Sequence, residues 1–195
     1  LDEGSSLDMT HSLLEFKNEV AVIAKAEDVP EVDFYPFSKE EMAVIVAPGH
    51  PFTRKKAVSF RELAEQRFIM KEKGSGTRKL VEQSFANANC EPNILMETSN
   101  TEFIKQLVQR DDGVSIVVKE AVAIELKEKK LVQVQLKNPQ IYLDVSIAYL
   151  KGQPLSPPAK AFVDTLVNLR AEEINPMGIG TIMAKILAQR RKASE

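Results

Sequence analysis

The sequence predicts an α/β protein in which short strands alternate with helices. Continuous β-branched runs recur at 20–24 ("VAVIA"), 42–46 ("MAVIV") and 114–118 ("VSIVV"), a composition that suits strands buried on both faces. Between them lie segments with apolar residues at helical spacing, some opened by a Ser-x-x-Glu capping pattern. Turns such as Ser75-Gly76-Thr77 and Asp111-Asp112-Gly113 punctuate the alternation. An order of this kind predicts parallel-type sheets flanked by helices.

Leu1–Gly4 is expected to end a strand, and Ser5 or Ser6 to cap a helix carrying Leu7, Leu13, Leu14 and Phe16. "SKEE" at 38–41 mimics a capping box, but the β-branched run behind it argues for a strand, stopped by Pro48, Gly49 and Pro51. Ser59 and Glu62 form a better box, stapled by Val58 and Leu63, for a short helix reaching Glu65. A strand at 67–70, the Ser75-Gly76-Thr77 turn and a helix over 77–88 follow. Next come a strand at 94–99 and a helix over 101–110 whose capping box is Ser99 with Glu102. A strand at 114–118, a helix over 119–126, strands at 131–136 and 142–150, and a helix over 157–172 complete the pattern. Beyond Asn175-Pro176, apolar residues from Ile179 to Leu187 recur at helical spacing in a last amphipathic piece.

Composition narrows the function classes. A chain of 195 residues, 44% hydrophobic and 28% charged, has the makings of one medium globular domain or two small ones. Its net charge of −2 provides no basic footprint, so nucleic acid is not the expected partner of these residues. A single cysteine, Cys90, excludes an intrachain disulfide, and two histidines, His11 and His50, leave no zinc site of usual make-up. No cofactor or metal is expected. No apolar run approaches the roughly 18 residues of a membrane span, and residues 1–20 lack a secretion-signal pattern. The expected location is the cytoplasm.

The Ser75-Gly76-Thr77 turn is the sharpest local signal. Strand, glycine turn and helix follow in the order that lets backbone N–H groups and a helix N-terminus converge on an anion, with the Ser75 and Thr77 hydroxyls as further donors. The same residues also read as a helix cap on a tight turn. Neither a Walker A pattern nor a suitably placed lysine is present. Ser99-Asn100-Thr101 ends a strand and opens a helix in the same way; two such ends on adjacent strands can face one small ligand. Alone, its capping reading is favoured. His11, His50 and Cys90 have no identifiable catalytic partner, so the residues point to a binder rather than an enzyme.

Read together, "LDEGSSLDMTHSLLEFKNEVAVIA", "EEMAVIVAPGHPF", "VSFRELAEQRFIMKEKGSGTR" and "DDGVSIVVKEAV" closely resemble the effector-binding domain of LysR-type transcriptional regulators. The resemblance covers about 1–172. It implies a type 2 periplasmic-binding-protein-like fold with two α/β subdomains joined by two crossing strands. Subdomain I would comprise 1–46 plus 147–172 and subdomain II 53–142, with 173–195 as a C-terminal extension. The crossings would fall at Val46–Phe52 and about Asp144–Tyr149.

The resemblance also implies a small effector, a carboxylate or oxyanion, in the cleft between subdomains. It would be held by Ser75, Gly76, Thr77 and Arg78 and lined by Ser99, Asn100 and Thr101. Arg78 also reads as a solvent-facing residue of the first helical turn. DNA binding would belong to a helix-turn-helix outside these residues, and the full-length protein would be a homodimer or tetramer. Two features depart from the family pattern: Lys119 stands where proline is common, and the first strand and helix of subdomain I are missing. A transporter's solute-binding protein shares the fold and is the alternative. An enzyme of phosphate-bearing substrates would need acidic metal ligands or a base near Thr77, and no clear set exists.

Overall fold

The computed structural model describes residues 1–137 and 139–172. The amphipathic piece expected within 173–195 lies outside them. Leu1–Gly4 is irregular rather than strand. Helix α1 (Ser6–Leu14) begins in a capping box, in which the Ser5 hydroxyl accepts from the Asp8 N–H and the Asp8 carboxylate accepts from the Ser5 N–H. Strand β1 (Ala21–Ala24) follows, then the 15-residue β2 (Val32–Val46), which runs straight through the "SKEE" segment. A 3-10 turn at Pro51–Arg54 leads into α2 (Phe60–Ala64), closed by the expected Ser59–Glu62 box. Then come β3 (Arg67–Lys71), α3 (Gly76–Asn87), β4 (Asn93–Thr98), α4 (Thr101–Gln109) and β5 (Ser115–Val118). The helix expected over 119–126 divides into a 3-10 turn at Lys119–Val122 and α5 (Ala123–Lys127). β6 (Val132–Val134), β7 (Tyr142–Leu150) and α6 (Pro157–Glu172) complete the described chain.

The expectation of parallel-type sheets holds only for part of the molecule. β3 and β4 pair in parallel, and a parallel bridge between Phe68 and Val114 ties β3 to β5. A second isolated parallel bridge joins Val58 and Leu136, and the other strand pairs among the described residues are antiparallel. The reason is the course of β2, which leaves the first half of the molecule, while β7 brings the chain back beside it. An outgoing and a returning strand side by side must run in opposite directions.

β2 pairs with β7 over Val32–Glu41 and with β5 and β6 over Met42–Val46. Its change of partner therefore falls between Glu41 and Met42, ahead of the crossing expected at Val46–Phe52. β7 pairs in the first sheet from Tyr142 onward, so the return also precedes Asp144. Pro36, which has no N–H to donate, sits beside a register shift on a stretch of β2 with a partner on one side only.

Strand periodicity explains why the apolar runs are continuous. In β2, Met42, Val44 and Val46 enter one core with Phe60, Leu63, Val81 and Phe85, while Ala43 and Ile45 enter another with Ile104 and Val108. The second sheet thus lies between α2 and α3 on one face and α4 on the other. In the first sheet, Ala21, Ile23 and Val32 pack with Leu13 of α1, while Ile147 and Phe37 pack with Leu166 of α6.

Candidate functional site

Because β3, β4 and β5 run in parallel, the turns after Lys71, Thr98 and Val118 gather at one end of the second sheet. The turn after Lys71 lies against the first half of the molecule. The structure therefore brings the two sequence-predicted turns, Ser75–Arg78 and Ser99–Thr101, onto neighbouring strand ends. The Lys71 ammonium, at the tip of β3, donates to the Ser99 carbonyl and joins them.

The two turns differ in how they open their helices. α4 is capped by Asn100, whose side-chain oxygen accepts from the Phe103 N–H at 3.1 Å. The expected Ser99–Glu102 box is thus replaced by a cap one residue later, where asparagine serves as well as serine. Asn100 is further fixed by its own N–H donating to the Thr98 hydroxyl at 3.1 Å.

α3 has no such closure. Ser75 occupies the cap position in extended backbone, yet its side chain makes no capping bond, whereas Ser5, Ser59 and Asn100 all cap their helices. Ser75 is only 8% exposed, and its hydroxyl bonds to none of the described residues. The amides of Gly76, Thr77 and Arg78 therefore start the helix without a side-chain acceptor, and the positive end of the helix dipole lies beside them.

The first half of the molecule packs against this turn. Gly74, at φ +85°, presents its carbonyl to the Leu7 N–H of α1 at 3.0 Å. A Cβ at Gly76 would stand 2.4 Å from the Ala24 Cβ and 3.1 Å from the Ala24 carbonyl oxygen, so only glycine permits this approach. A depression of about 360 Å³ opens here, walled by Leu7, Ala26 and Glu27 on one side and by Lys73, Ser75 and Arg78 on the other. A larger one of about 650 Å³ lies at the opposite end of α3, beside Cys90, Glu82 and Glu91. It has no cation in its lining and does not include either turn.

Arg78 is neither solvent-facing nor open to the depression as a free cation. Its side chain is 10% exposed and pairs with Glu82 at 2.7 Å and Glu97 at 2.8 Å. It also donates to the Lys71 carbonyl at 3.2 Å. Burial works against its charge, but hydrogen bonds to Glu97 and Glu82 outweigh burial and raise the guanidinium above its ordinary pKa. Thr77 is half-buried in the first turn and outside the lining of the depression. Leu7, Ala24, Ala26, Lys71 and Glu97 complete the surroundings. Leu7, Ala24 and Glu97 were legible only as parts of a predicted helix and predicted strands, and Ala26 and Lys71 carried no sequence signal. Among the described residues, no group of three or more His, Cys, Asp or Glu side chains is placed to hold a metal. No described helix is long and apolar enough to cross a membrane.

Comparison with known proteins matches this arrangement to one family. Residues 1–171 match the LysR substrate binding domain. The chain is 32% identical to the RuBisCO operon transcriptional regulator of Allochromatium vinosum over 165 residues, 82% of this chain and 55% of that protein. It is 32% identical to the HTH-type transcriptional activator CmpR of Synechocystis sp. over 136 residues, 70% of this chain and 45% of that one. It spans about half the length of these curated relatives.

Among solved structures, the effector binding domain of QuiR in complex with shikimate superposes with a TM-score of 0.78 at 26% identity. The match covers 88% of this chain and 81% of that one. The regulatory domain of CcmR from Synechocystis PCC6803 in complex with 2-PG gives 0.79 at 23% identity, covering 89% and 82%, a likeness that shows the fold alone. The fold is the type 2 periplasmic-binding-protein-like α/β fold of LysR effector-binding domains. With its substrate-binding-domain match over nearly all the described residues, the chain belongs to the LysR family of transcriptional regulators.

Proposed function

We propose that these residues form the sensing part of a LysR-type regulator that takes up a small anionic metabolite at the start of α3. Ser75, Gly76 and Thr77 would supply the donors, and Ser99, Asn100 and Thr101 would line the neighbouring strand end. One observation carries the reading. Ser75 is buried, its hydroxyl has no partner among the described residues, and it makes no capping bond to the helix it opens, all beside a depression walled by both halves of the molecule. A carboxylate or oxyanion is the group that such amides and hydroxyls stabilise. The complex of QuiR with shikimate, a carboxylate, agrees with that class.

Because the depression has walls from both subdomains, a bound anion would favour the arrangement that keeps them together, by its differential affinity for the two forms. That shift would reach DNA through a helix-turn-helix outside these residues, in a cytoplasmic homodimer or tetramer. The relatives are transcriptional regulators, which favours this role over an enzyme or a transporter's solute-binding protein.

The test is a thermal-shift screen with acetate, shikimate, sulfate and inorganic phosphate. A binder at 100 times its Kd adds about 2.7 kcal/mol, or roughly 5–11 °C in Tm for a chain of this size. A shift lost in Ser75→Ala and reduced in Thr77→Val supports the site. A shift untouched by Ser75→Ala overturns it.

A further inference from the structure

Arg78 is the buried cation in the first turn of α3, beside the half-buried Lys79, and the sequence offers it as the natural counter-ion of a bound anion. The geometry points to another role, which rests on the site proposed above. We infer that Arg78 is a positioning residue, and that the anion is held by the α3 amides and the Ser75 hydroxyl rather than by the guanidinium.

Three bonds support this. The guanidinium pairs with Glu97 at 2.8 Å, pairs with Glu82 at 2.7 Å and donates to the Lys71 carbonyl at 3.2 Å. Lys71 ends β3, and Glu97 lies next to Thr98, its register partner in β4. Glu82 is one turn further along α3 itself. The side chain is thus a strap from the first turn of α3 across the tips of two parallel strands. Two carboxylates already take up its charge, and at 10% exposure little of it is left open. An anion drawing it away would break a bidentate-capable pairing and leave Glu97 uncompensated. The strap instead fixes where the uncapped amides of Gly76 and Thr77 stand relative to the Ser99–Thr101 turn. Misplacement of such donors weakens the grip on an anion steeply.

The two roles predict opposite signs. Glu97→Ala cuts the strap's tie to β4 and removes one of the guanidinium's two carboxylate partners. If Arg78 bound the anion directly, calorimetric affinity for shikimate or sulfate would rise. As a positioning residue its release loosens the turn, and affinity falls roughly tenfold, the equivalent of one well-placed hydrogen bond. Arg78→Met combined with Glu97→Met replaces the strap by apolar packing and removes the cation. The inference expects this double variant to bind within about threefold of the unmodified chain. Tighter binding by Glu97→Ala, or loss of binding in the folded double variant, overturns the inference while Ser75→Ala still tests the site. If neither shikimate nor sulfate binds the unmodified chain, the site reading fails and the inference with it.

Discussion

Gly76→Ala separates two readings of the α3 turn by sign. Gly76 is the first residue of α3 and has no positive φ, so the backbone alone would accept alanine there. Inside a helix that exchange favours alanine by up to about 1 kcal/mol, and by less at the first position. Against this stands contact with β1. The added carbon would lie 2.4 Å from the Ala24 Cβ, and carbons settle at about 3.5–4.0 Å. Neither Ala24 atom can swing aside, because both are fixed by the backbone of a strand whose register is held by the Ala24–Val145 pair. β1 and α3 must therefore part by more than about 1 Å, and overpacking of this kind costs about 1–3 kcal/mol. The clash outweighs the propensity gain, leaving a net loss of about 1–2 kcal/mol, or a Tm lower by about 2–8 °C. Differential scanning calorimetry measures it. Ala24→Gly removes the struck carbon, so the double variant should be more stable than the sum of the single changes. A raised Tm for Gly76→Ala, or strict additivity with Ala24→Gly, would refute the close approach.

Two further expectations concern charge. Glu62 accepts from Lys137, Lys55 and Ser59, and these hydrogen bonds hold its carboxyl well below its ordinary pKa of 4.5. Its contribution is present above that value and is lost as pH falls through and below it. The difference in urea midpoint between the unmodified chain and Glu62→Gln should therefore shrink from pH 7 to pH 3. Lys105 is 8% exposed in its side chain and pairs with Glu102 at 2.6 Å and with Glu125, itself 15% exposed, at 2.8 Å. Lys105→Met should cost about 3–5 kcal/mol by taking the ammonium away from the buried Glu125 carboxylate. In the unmodified chain, burial acts to raise the Glu125 pKa, but the hydrogen bond from Lys105 outweighs it and the net shift is downward. The variant loses that bond but keeps a backbone hydrogen bond and the field of Lys130, so the Glu125 carboxyl should titrate higher than in the unmodified chain and the stability gap between the two should narrow as pH falls. Glu125→Leu in the Lys105→Met background should restore most of the loss.

What the sequence determined by itself is local. Dihedral preference and side-chain period made the β-branched runs strands, and the Ser59–Glu62 spacing made a cap whose partners are three residues apart. The order strand, turn, helix at Ser75 and again at Asn100 was legible for the same reason, because each junction is built from neighbours in the chain. The tertiary structure decided everything that depends on distant partners. The antiparallel pairing of β2 with β7 joins residues roughly a hundred positions apart, and no local period encodes its direction or the change of partner at Glu41–Met42. Gly76 reads in sequence as turn flexibility; its need for glycine comes from Ala24, in a different strand. Arg78 reads as a free cation beside an anion turn until β3 and β4 bring Glu97 to it. A charge's role depends on which opposite charge is within reach, and reach is a property of the assembled sheet.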